Sequence, residues 1–211
     1  KLISDAHAPS VLSLSTFESG TLAEESTRRA HEATRDKDTN PFIHLYENVL
    51  IPGENWQNYD VVGISIIGIS QIIPGLTLAR LLKEKFPHLH ITLGGPIFSV
   101  NSGQLLGHPE FFDDFCHSIV TFEGEEPLHR LLSALKAGDA LSTVPNLLHL
   151  DGREVVQNKE RVELRFEELP GPTFDGLPMH DYLSPYPIIP VLQSRGCYWG
   201  KCTFCTHSFV Y

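Results

Sequence analysis

The sequence predicts an α/β fold in which a parallel β-sheet is covered by helices. Three short apolar runs have the length and composition of buried strands, at residues 60–67, 90–95 and 117–122. Segments with the three- and four-residue apolar spacing of amphipathic helices follow the first and third runs. Because neighbouring parallel strands need a crossover, this alternation favours a parallel sheet with both faces covered.

End signals support the two helices. The first is predicted from Pro74 to Phe86 and the second from Pro127 to Ala137, with Gly138 as its stop. Glu125 and Glu126 come at the start of the second helix, where carboxylates favour the positive end of the helix dipole. The positions expected to face the sheet are Leu78, Leu81, Leu82 and Phe86 in the first helix and Leu128, Leu131, Leu132 and Leu135 in the second.

The segments outside this alternation predict simpler elements. Thr21 to Glu24 matches a capping box and predicts a charged surface helix that extends to about Asp36; residues 96–116 form a polar loop in this interpretation. Asp151-Gly152 lies between two short runs and predicts a β-hairpin. Residues 169–190 contain six prolines, which is typical of an extended connector, and the apolar run Ile188–Ser194 then leads into the cysteines.

Composition limits the classes of function. The net charge is −10, and the basic residues are scattered, so a nucleic acid partner is not expected. The uncharged stretch Val61–Ala79 is interrupted by glycine and proline, which argues against a membrane span. Four cysteines, three of them clustered, suggest thiolates at a metal in a reducing compartment rather than disulfides. We therefore predict a cytoplasmic protein without a membrane partner.

Glycine follows each predicted strand and suggests a ligand site. In an open parallel sheet, ligands bind where the carboxyl ends of the strands meet. The candidate residues there are Ser65, Ser70, Gly94, Gly95, Pro96 and Gly124. The alternative is that these glycines simply end strands. A G-x-G-x-x-G fingerprint does not follow the first strand, which counts against ordinary dinucleotide binding.

The cysteine cluster has the spacing C-x4-C-x2-C at Cys197, Cys202 and Cys205. Three thiolates can hold three irons of a [4Fe–4S] cluster and leave the fourth iron open to another ligand. Zinc is the competing interpretation, with His207 as the fourth ligand of a Cys3His set. A third possibility is that the thiols bind nothing. The remote Cys116 is expected to pack in the core.

The stretch IPVLQSRGCYWGKCTFC resembles the first barrel strand and cluster loop of radical S-adenosylmethionine enzymes. The preceding chain resembles the Rossmann-like cobalamin-binding domain that many of them carry. The matching segments cover about Asp60 to Tyr211, and they are DVVGIS, ITLGGP, VTFEGEEP, the Asp-Gly hairpin and LPGPTFDGL ahead of DYLSP. The resemblance implies a Rossmann-like cobalamin-binding domain at 1–144, a hairpin and proline-rich connector at 145–186, and the truncated start of the radical domain at 187–211.

The resemblance also implies a function. Cys197, Cys202 and Cys205 would ligate the cluster, S-adenosylmethionine would bind the open iron, and Phe204 would lie near its adenine. Reductive cleavage would yield a 5′-deoxyadenosyl radical, and cobalamin, held by the glycine loops, would deliver a methyl group to an unactivated carbon. The expected partners are a small-molecule or peptide substrate and an external electron donor. The alternative is a non-enzymatic ligand-binding or regulatory α/β domain with a zinc-stabilised tail.

Two departures accompany the resemblance. The family spacing is commonly C-x3-C-x2-C, so this loop would bulge to absorb one more residue. Other cobalamin domains place a histidine on cobalt with D-x-H-x-x-G, which Asp5 to Ser10 matches only in part, so His7 is either a cobalt ligand or an ordinary exposed histidine. Because a radical-enzyme barrel needs several more βα units after the cysteines, we expect this chain to be a fragment that is inactive by itself.

Overall fold

The computed structural model describes residues 2–13, 16–21, 23–182, 184–191 and 194–207. The chain divides into two compact units, at residues 1–162 and 163–211. The first unit holds the sheet and its helices. In the part of the second unit that is described, the regular elements are short 3-10 turns at Phe166–Glu168 and Met179–Asp181.

The first unit opens with short elements that differ from the prediction. They are helix α1 (Leu2–Ala6), strands β1 (Val11–Leu12) and β2 (Phe17–Glu18), which pair antiparallel, and helices α2 (Thr27–Ala33) and α3 (Pro41–Leu45). The predicted helix from Thr21 to Asp36 is wrong in its start: Ser26 caps α2 by accepting the N–H of Arg29. The Ser19 hydroxyl donates to the Glu24 carboxylate, so Glu24 is not free to complete a capping box.

A five-stranded mixed sheet forms the centre of the first unit and confirms the α/β, Rossmann-like fold class. Its strands, in spatial order, are β3 (Val61–Ser65), β4 (His90–Gly94), β5 (Ser118–Val120), β6 (Leu147–Asp151) and β7 (Glu154–Gln157). Strands β3, β4 and β5 are parallel, as predicted, and β6 and β7 are antiparallel additions. The helices between strands are α4 (Ile72–Lys85), α5 (Pro96–Leu105), α6 (Pro109–Phe115) and α7 (Glu125–Ala137).

The Asp-Gly hairpin belongs to the sheet rather than following it. Val120 of β5 pairs with Leu147 of β6, so the hairpin extends the parallel strands directly. Gly152 has φ = 63°, as its tight turn requires. The first compact unit therefore includes the hairpin and ends at Val162, whereas the domain assignments themselves stay predictions.

Residues 96–116 are two helices, so the polar loop interpretation is wrong. Pro96 and Pro109 occupy the first turns of α5 and α6. Phe98, Phe112 and Phe115 are buried in the main core. Ser99 and Ser102 are also buried, and the Ser99 hydroxyl accepts the N–H of Phe122 at 2.6 Å.

The two faces of the sheet differ in character. On one face, Ile91, Leu93 and Ile119 join a core with α4 and α6. On the other, α7 packs on Val120 and Leu147, with Leu131 fully buried. The predicted apolar stripe of α7 is partly wrong, because Leu128 and Leu132 are 40% and 44% exposed. At the β3 edge this second face is open, and both Gly63 and Ser65 are exposed.

Two expectations concern particular stretches. Val61–Ala79 forms a strand, a loop and the start of a helix, as its glycines and Pro74 predicted. Across the described residues, the helices all fall short of the length and apolarity needed to cross a membrane. The barrel strand that the resemblance implies in the run Ile188–Ser194 includes residues 192 and 193, which lie outside the described residues. The described residues of this run are not in a strand.

Candidate cofactor site at the carboxyl edge of the sheet

The structure brings the three glycine loops to one edge of the sheet. Ser65 pairs with Gly94, and Gly94 pairs with Val120, so the last residues of β3, β4 and β5 are direct neighbours. The parallel direction of the strands places the loop that follows each one at the same edge. Gly124 lies in the third loop, directly before α7. The predicted candidates therefore form one surface, and their role in binding stays a prediction.

Two adjacent glycines in this edge have different structural roles. Gly95 has φ = 111°, and a Cβ atom there would overlap the carbonyl oxygen of Ile66, so the β3 and β4 loops require glycine for their packing. Gly94 has no positive φ, and a Cβ atom there would make only ordinary contact, 3.7 Å from the Val120 oxygen. Gly124 is similar, with φ = −100° and a nearest neighbour at 3.9 Å. Among the described residues, packing explains neither Gly94 nor Gly124.

The loop after β3 is held by a side chain. The Gln71 Oε1 atom accepts the N–H groups of Ile67 at 2.8 Å and Gly68 at 3.2 Å. Those two N–H groups are therefore already hydrogen-bonded within the loop. Ser70 lies in the same turn. Ile67 and Ile69 are 66% and 69% exposed, so this fixed loop presents apolar side chains to solvent.

Sequence reasoning missed two residues at this edge. Phe122 follows β5 with φ = 59°, and Asn146 precedes β6 with φ = 52°; they are the non-glycine residues with positive φ in the described chain. Left-handed backbone at such residues is uncommon and recurs at functional sites. The signal available in the sequence was Asn146 itself, because asparagine tolerates this conformation best among residues with a side chain.

An open groove of about 330 Å³ lies beside these two residues. Its lining consists of Phe122, Asn146, Gln157, Asn158, Lys159, Glu160 and Arg161. The groove is at the carboxyl edge because β7 is antiparallel to β6, as β5 is, and so ends at the same side of the sheet as β5.

The cysteine loop of the second unit is exposed. Cys197, Cys202 and Cys205 are all exposed, and Gly196 and Gly200 have φ values of 79° and 57°. The backbone N–H groups of Gly200 and then Trp199 lower the pKa of the Cys197 thiol by stabilising its thiolate. Within the described residues, three His, Cys, Asp or Glu side chains are nowhere gathered closely enough to hold a metal ion. The three thiols are thus accessible donors that the structure does not bring together.

The remaining predicted donors fall in different places. The imidazole of His207 lies beside the cysteine loop, with Nε2 3.2 Å from the Gly196 carbonyl oxygen. Phe204 is 88% exposed between the last two cysteines. Cys116 is 1% exposed, which confirms its packing role, and burial raises the pKa of its thiol. His7 follows α1 rather than a strand, and its Nδ1 atom lies 2.9 Å from the Asp38 carbonyl oxygen.

Comparison with known proteins finds similarity to methyltransferases. An uncharacterized methyltransferase of Pyrococcus horikoshii is 27% identical over 154 residues, which are 72% of this chain and 32% of that protein. The chain therefore spans about a third of the length of this relative. A solved structure of TsrM, a radical S-adenosylmethionine methyltransferase from Kitasatospora setae with cobalamin and a [4Fe–4S] cluster bound, is 20% identical, with a TM-score of 0.38, and the match covers 58% of this chain and 24% of that chain. No family model matches the sequence.

Proposed function

We propose that this chain is the cobalamin-binding part and cluster loop of a cytoplasmic radical S-adenosylmethionine methyltransferase. The observation that carries the proposal is Gly94, which ends β4 in the middle of the carboxyl edge. Its backbone conformation and its surroundings would both accept a side chain. A glycine that the fold does not need leaves its backbone open to a large ligand. Gly124, one strand further along, has the same property.

The residues at the carboxyl edge are serines, glycines and a proline, and this kind of surface suits a corrin. Ser65 is exposed beside Gly94, and Ser70, Gly95, Pro96 and Gly124 complete the surface to which we assign cobalamin. The similarity to a protein named a methyltransferase supports methyl transfer as the reaction class.

The cysteine loop supports the second half of the proposal. Soft, exposed thiolates are the donors that iron–sulfur clusters use, and we assign Cys197, Cys202 and Cys205 to the cluster, with Phe204 near S-adenosylmethionine. When bound, the cluster supplies the electron that cleaves S-adenosylmethionine, and cobalamin carries the methyl group. An external electron donor and a small-molecule or peptide substrate complete the proposed reaction.

Cobalamin retention tests the first half. We expect the full-length protein to retain hydroxocobalamin on gel filtration and Gly94→Ala to weaken its binding, because the added methyl group occupies space assigned to the ligand. Gly103→Ala is the matched control, since a Cβ atom at this exposed position in α5 meets nothing within 4 Å. If the unmodified protein does not retain hydroxocobalamin on the column, the proposal is overturned.

Iron reconstitution tests the second half against its competitor. Zinc held by the three cysteines and His207 is favoured by the position of His207 beside Gly196. Anaerobic reconstitution with iron and sulfide should give a broad brown absorbance that Cys202→Ala abolishes and Cys116→Ala leaves intact. Stoichiometric zinc with no iron uptake would instead support the non-enzymatic α/β domain with a zinc-stabilised tail.

A further inference from the structure

The loop after β5, at residues 121–124, is held by residues that lie outside it. The hydroxyl of Ser99, in α5, accepts the N–H of Phe122 at 2.6 Å. On the other side of the loop, the N–H and the hydroxyl of Thr121 both donate to the Asn146 carbonyl, each at 2.9 Å. Ser99, Thr121 and Asn146 are all buried. Two consecutive positions of the loop are therefore fixed by residues that are distant in the sequence.

Phe122 needs this support because its backbone is left-handed. Its φ of 59° is unfavourable for a residue with a bulky side chain, so the conformation persists only where the surroundings hold it. The Ser99 hydroxyl accepts the N–H of this same residue, and Ser99 is 0% exposed. Without this acceptor the left-handed backbone loses a compensating hydrogen bond, and other conformations of the loop become populated.

The same hydrogen bond joins two of the glycine loops. Ser99 belongs to the helix that starts two residues after Gly94, and Phe122 lies two residues before Gly124. The strands that end at these two loops, β4 and β5, are neighbours in the sheet. Ser99 therefore holds the loop of Gly124 in place relative to the loop of Gly94.

We propose that Ser99 is a positioning residue of the cofactor surface. It acts through the Phe122 backbone and holds Gly124 at the distance from Gly94 at which one planar ligand contacts both glycines. This inference rests on the proposed function, because only a shared ligand makes the spacing of the two glycines matter. Ser99 is fully buried and does not itself contact a ligand at the surface, so its loss should reduce the fraction of molecules that are competent to bind.

Titration of the full-length protein with hydroxocobalamin, followed by equilibrium dialysis, tests this inference. We expect Ser99→Ala to weaken binding about tenfold, because fewer molecules hold the loop in place. Ser99→Thr keeps the hydroxyl and should bind within about twofold of the unmodified protein. If Ser99→Ala does not fold, Ser99→Cys gives the same comparison, since it keeps the size of the side chain but replaces the oxygen with a weakly accepting sulfur.

Ser118→Ala is the matched control for a general loss of stability. Ser118 is as buried as Ser99, and its hydroxyl donates to Thr92 at 3.0 Å at the amino end of β5. We expect this variant to bind hydroxocobalamin as the unmodified protein does. Equal losses of affinity in Ser99→Ala and Ser118→Ala would overturn the inference.

Amide hydrogen exchange of the ligand-free protein measures the loop directly. Ser99→Ala should speed exchange at Phe122, Glu123 and Gly124 about tenfold and leave Ile119, which is 0% exposed in β5, unchanged. Uniformly faster exchange would show a general loss of stability and overturn the inference. If the unmodified protein does not bind hydroxocobalamin, the proposed function fails and this inference fails with it. If both the unmodified protein and Ser99→Ala bind it equally well, only the inference fails.

Discussion

The backbone of Gly95 lies directly against the backbone of Ile66, and this contact joins the first two loops of the carboxyl edge. The N–H of Ile66 donates to the Gly94 carbonyl at 2.8 Å, which extends the β3–β4 pairing by one residue. A side chain at residue 95 would overlap the Ile66 carbonyl, and φ of 111° is itself unfavourable for any residue but glycine. Gly95 thus holds the edge together, whereas Gly94 leaves it open.

Replacement of Gly95 should therefore damage the fold before it affects any ligand. We expect Gly95→Ala to lower the free energy of unfolding by about 3 kcal/mol, because backbone strain and overlap with Ile66 add. Urea denaturation followed by circular dichroism measures the change. Gly94→Ala should unfold within about 0.5 kcal/mol of the unmodified protein, since its Cβ atom fits. Equal losses in both variants would contradict the distinction drawn between these glycines.

Asn146 should be the most sensitive polar residue of the groove. Asn146→Ala removes the side-chain bonds to Val162 and leaves the backbone N–H and carbonyl of this half-buried residue unpaired, so we expect a loss of about 2 kcal/mol in unfolding free energy. Asn146→Gly loses the same bonds but accepts φ of 52° freely, and it should be about 1 kcal/mol more stable than the alanine variant. If the two variants were equally stable, positive φ would contribute nothing here.

The histidines at the amino end of the sheet should make stability depend on pH. Burial, chiefly, lowers the pKa of His90 and of His117 to about 4, and the charge of Lys83 acts in the same direction on both. The unfolded chain, with an ordinary histidine pKa of about 6.5, therefore binds more protons between these two values. The free energy of unfolding should have its full value above about pH 6.5. It should fall as the pH falls toward 4, by about 2 kcal/mol for the two histidines together after allowance for their partial exposure.

Urea unfolding at pH 7 and pH 4.5 measures this loss. His90→Gln keeps a donor near the Ser118 hydroxyl, which lies 2.8 Å from Nε2 of His90, and should flatten the pH dependence. His129→Gln, at an exposed position on α7, is the control and should retain the full slope. An unchanged slope in His90→Gln would show that other groups carry the pH dependence.

Thiol accessibility should divide the four cysteines into two classes. In the reduced, metal-free protein, the exposed Cys197, Cys202 and Cys205 should react with Ellman's reagent within minutes, whereas Cys116 should react only after unfolding. Burial excludes the reagent from Cys116 and raises the pKa of its thiol, so little thiolate forms. The native count should be three and the denatured count four. A fourth fast thiol under native conditions would show that Cys116 is not held in the core.

Much of the fold could be predicted because its signals are local. Apolar runs of strand length predicted β3, β4 and β5, and three- and four-residue spacing predicted α4 and α7. The polar-loop interpretation of residues 96–116 was wrong because polar side chains of this segment, Ser99 and Ser102, are buried. Ser99 is buried since it accepts a backbone N–H from Phe122, a partner 23 residues away that local patterns do not indicate.

The candidate site was likewise predicted only in part from the sequence. The three glycine loops were identified from sequence, because each follows a predicted strand and parallel strands end at one edge. The groove beside Phe122 could not be identified from the sequence, because its walls meet only when β5 pairs with β6 and β6 pairs with β7. The two glycines at 94 and 95 look alike in the sequence, and only the position of the Ile66 carbonyl distinguishes them.

The amino-acid sequence alone determined the α/β class, the parallel strands, the glycine loops and the spacing of three cysteines, because these depend on residue types and short periodicities. Only the tertiary structure decided that the hairpin joins the sheet, that Gly95 serves packing while Gly94 does not, and that Lys159 and Arg161 share a groove with Phe122. Those features depend on hydrogen bonds and contacts between residues distant in the chain, which form only when the strands are brought side by side.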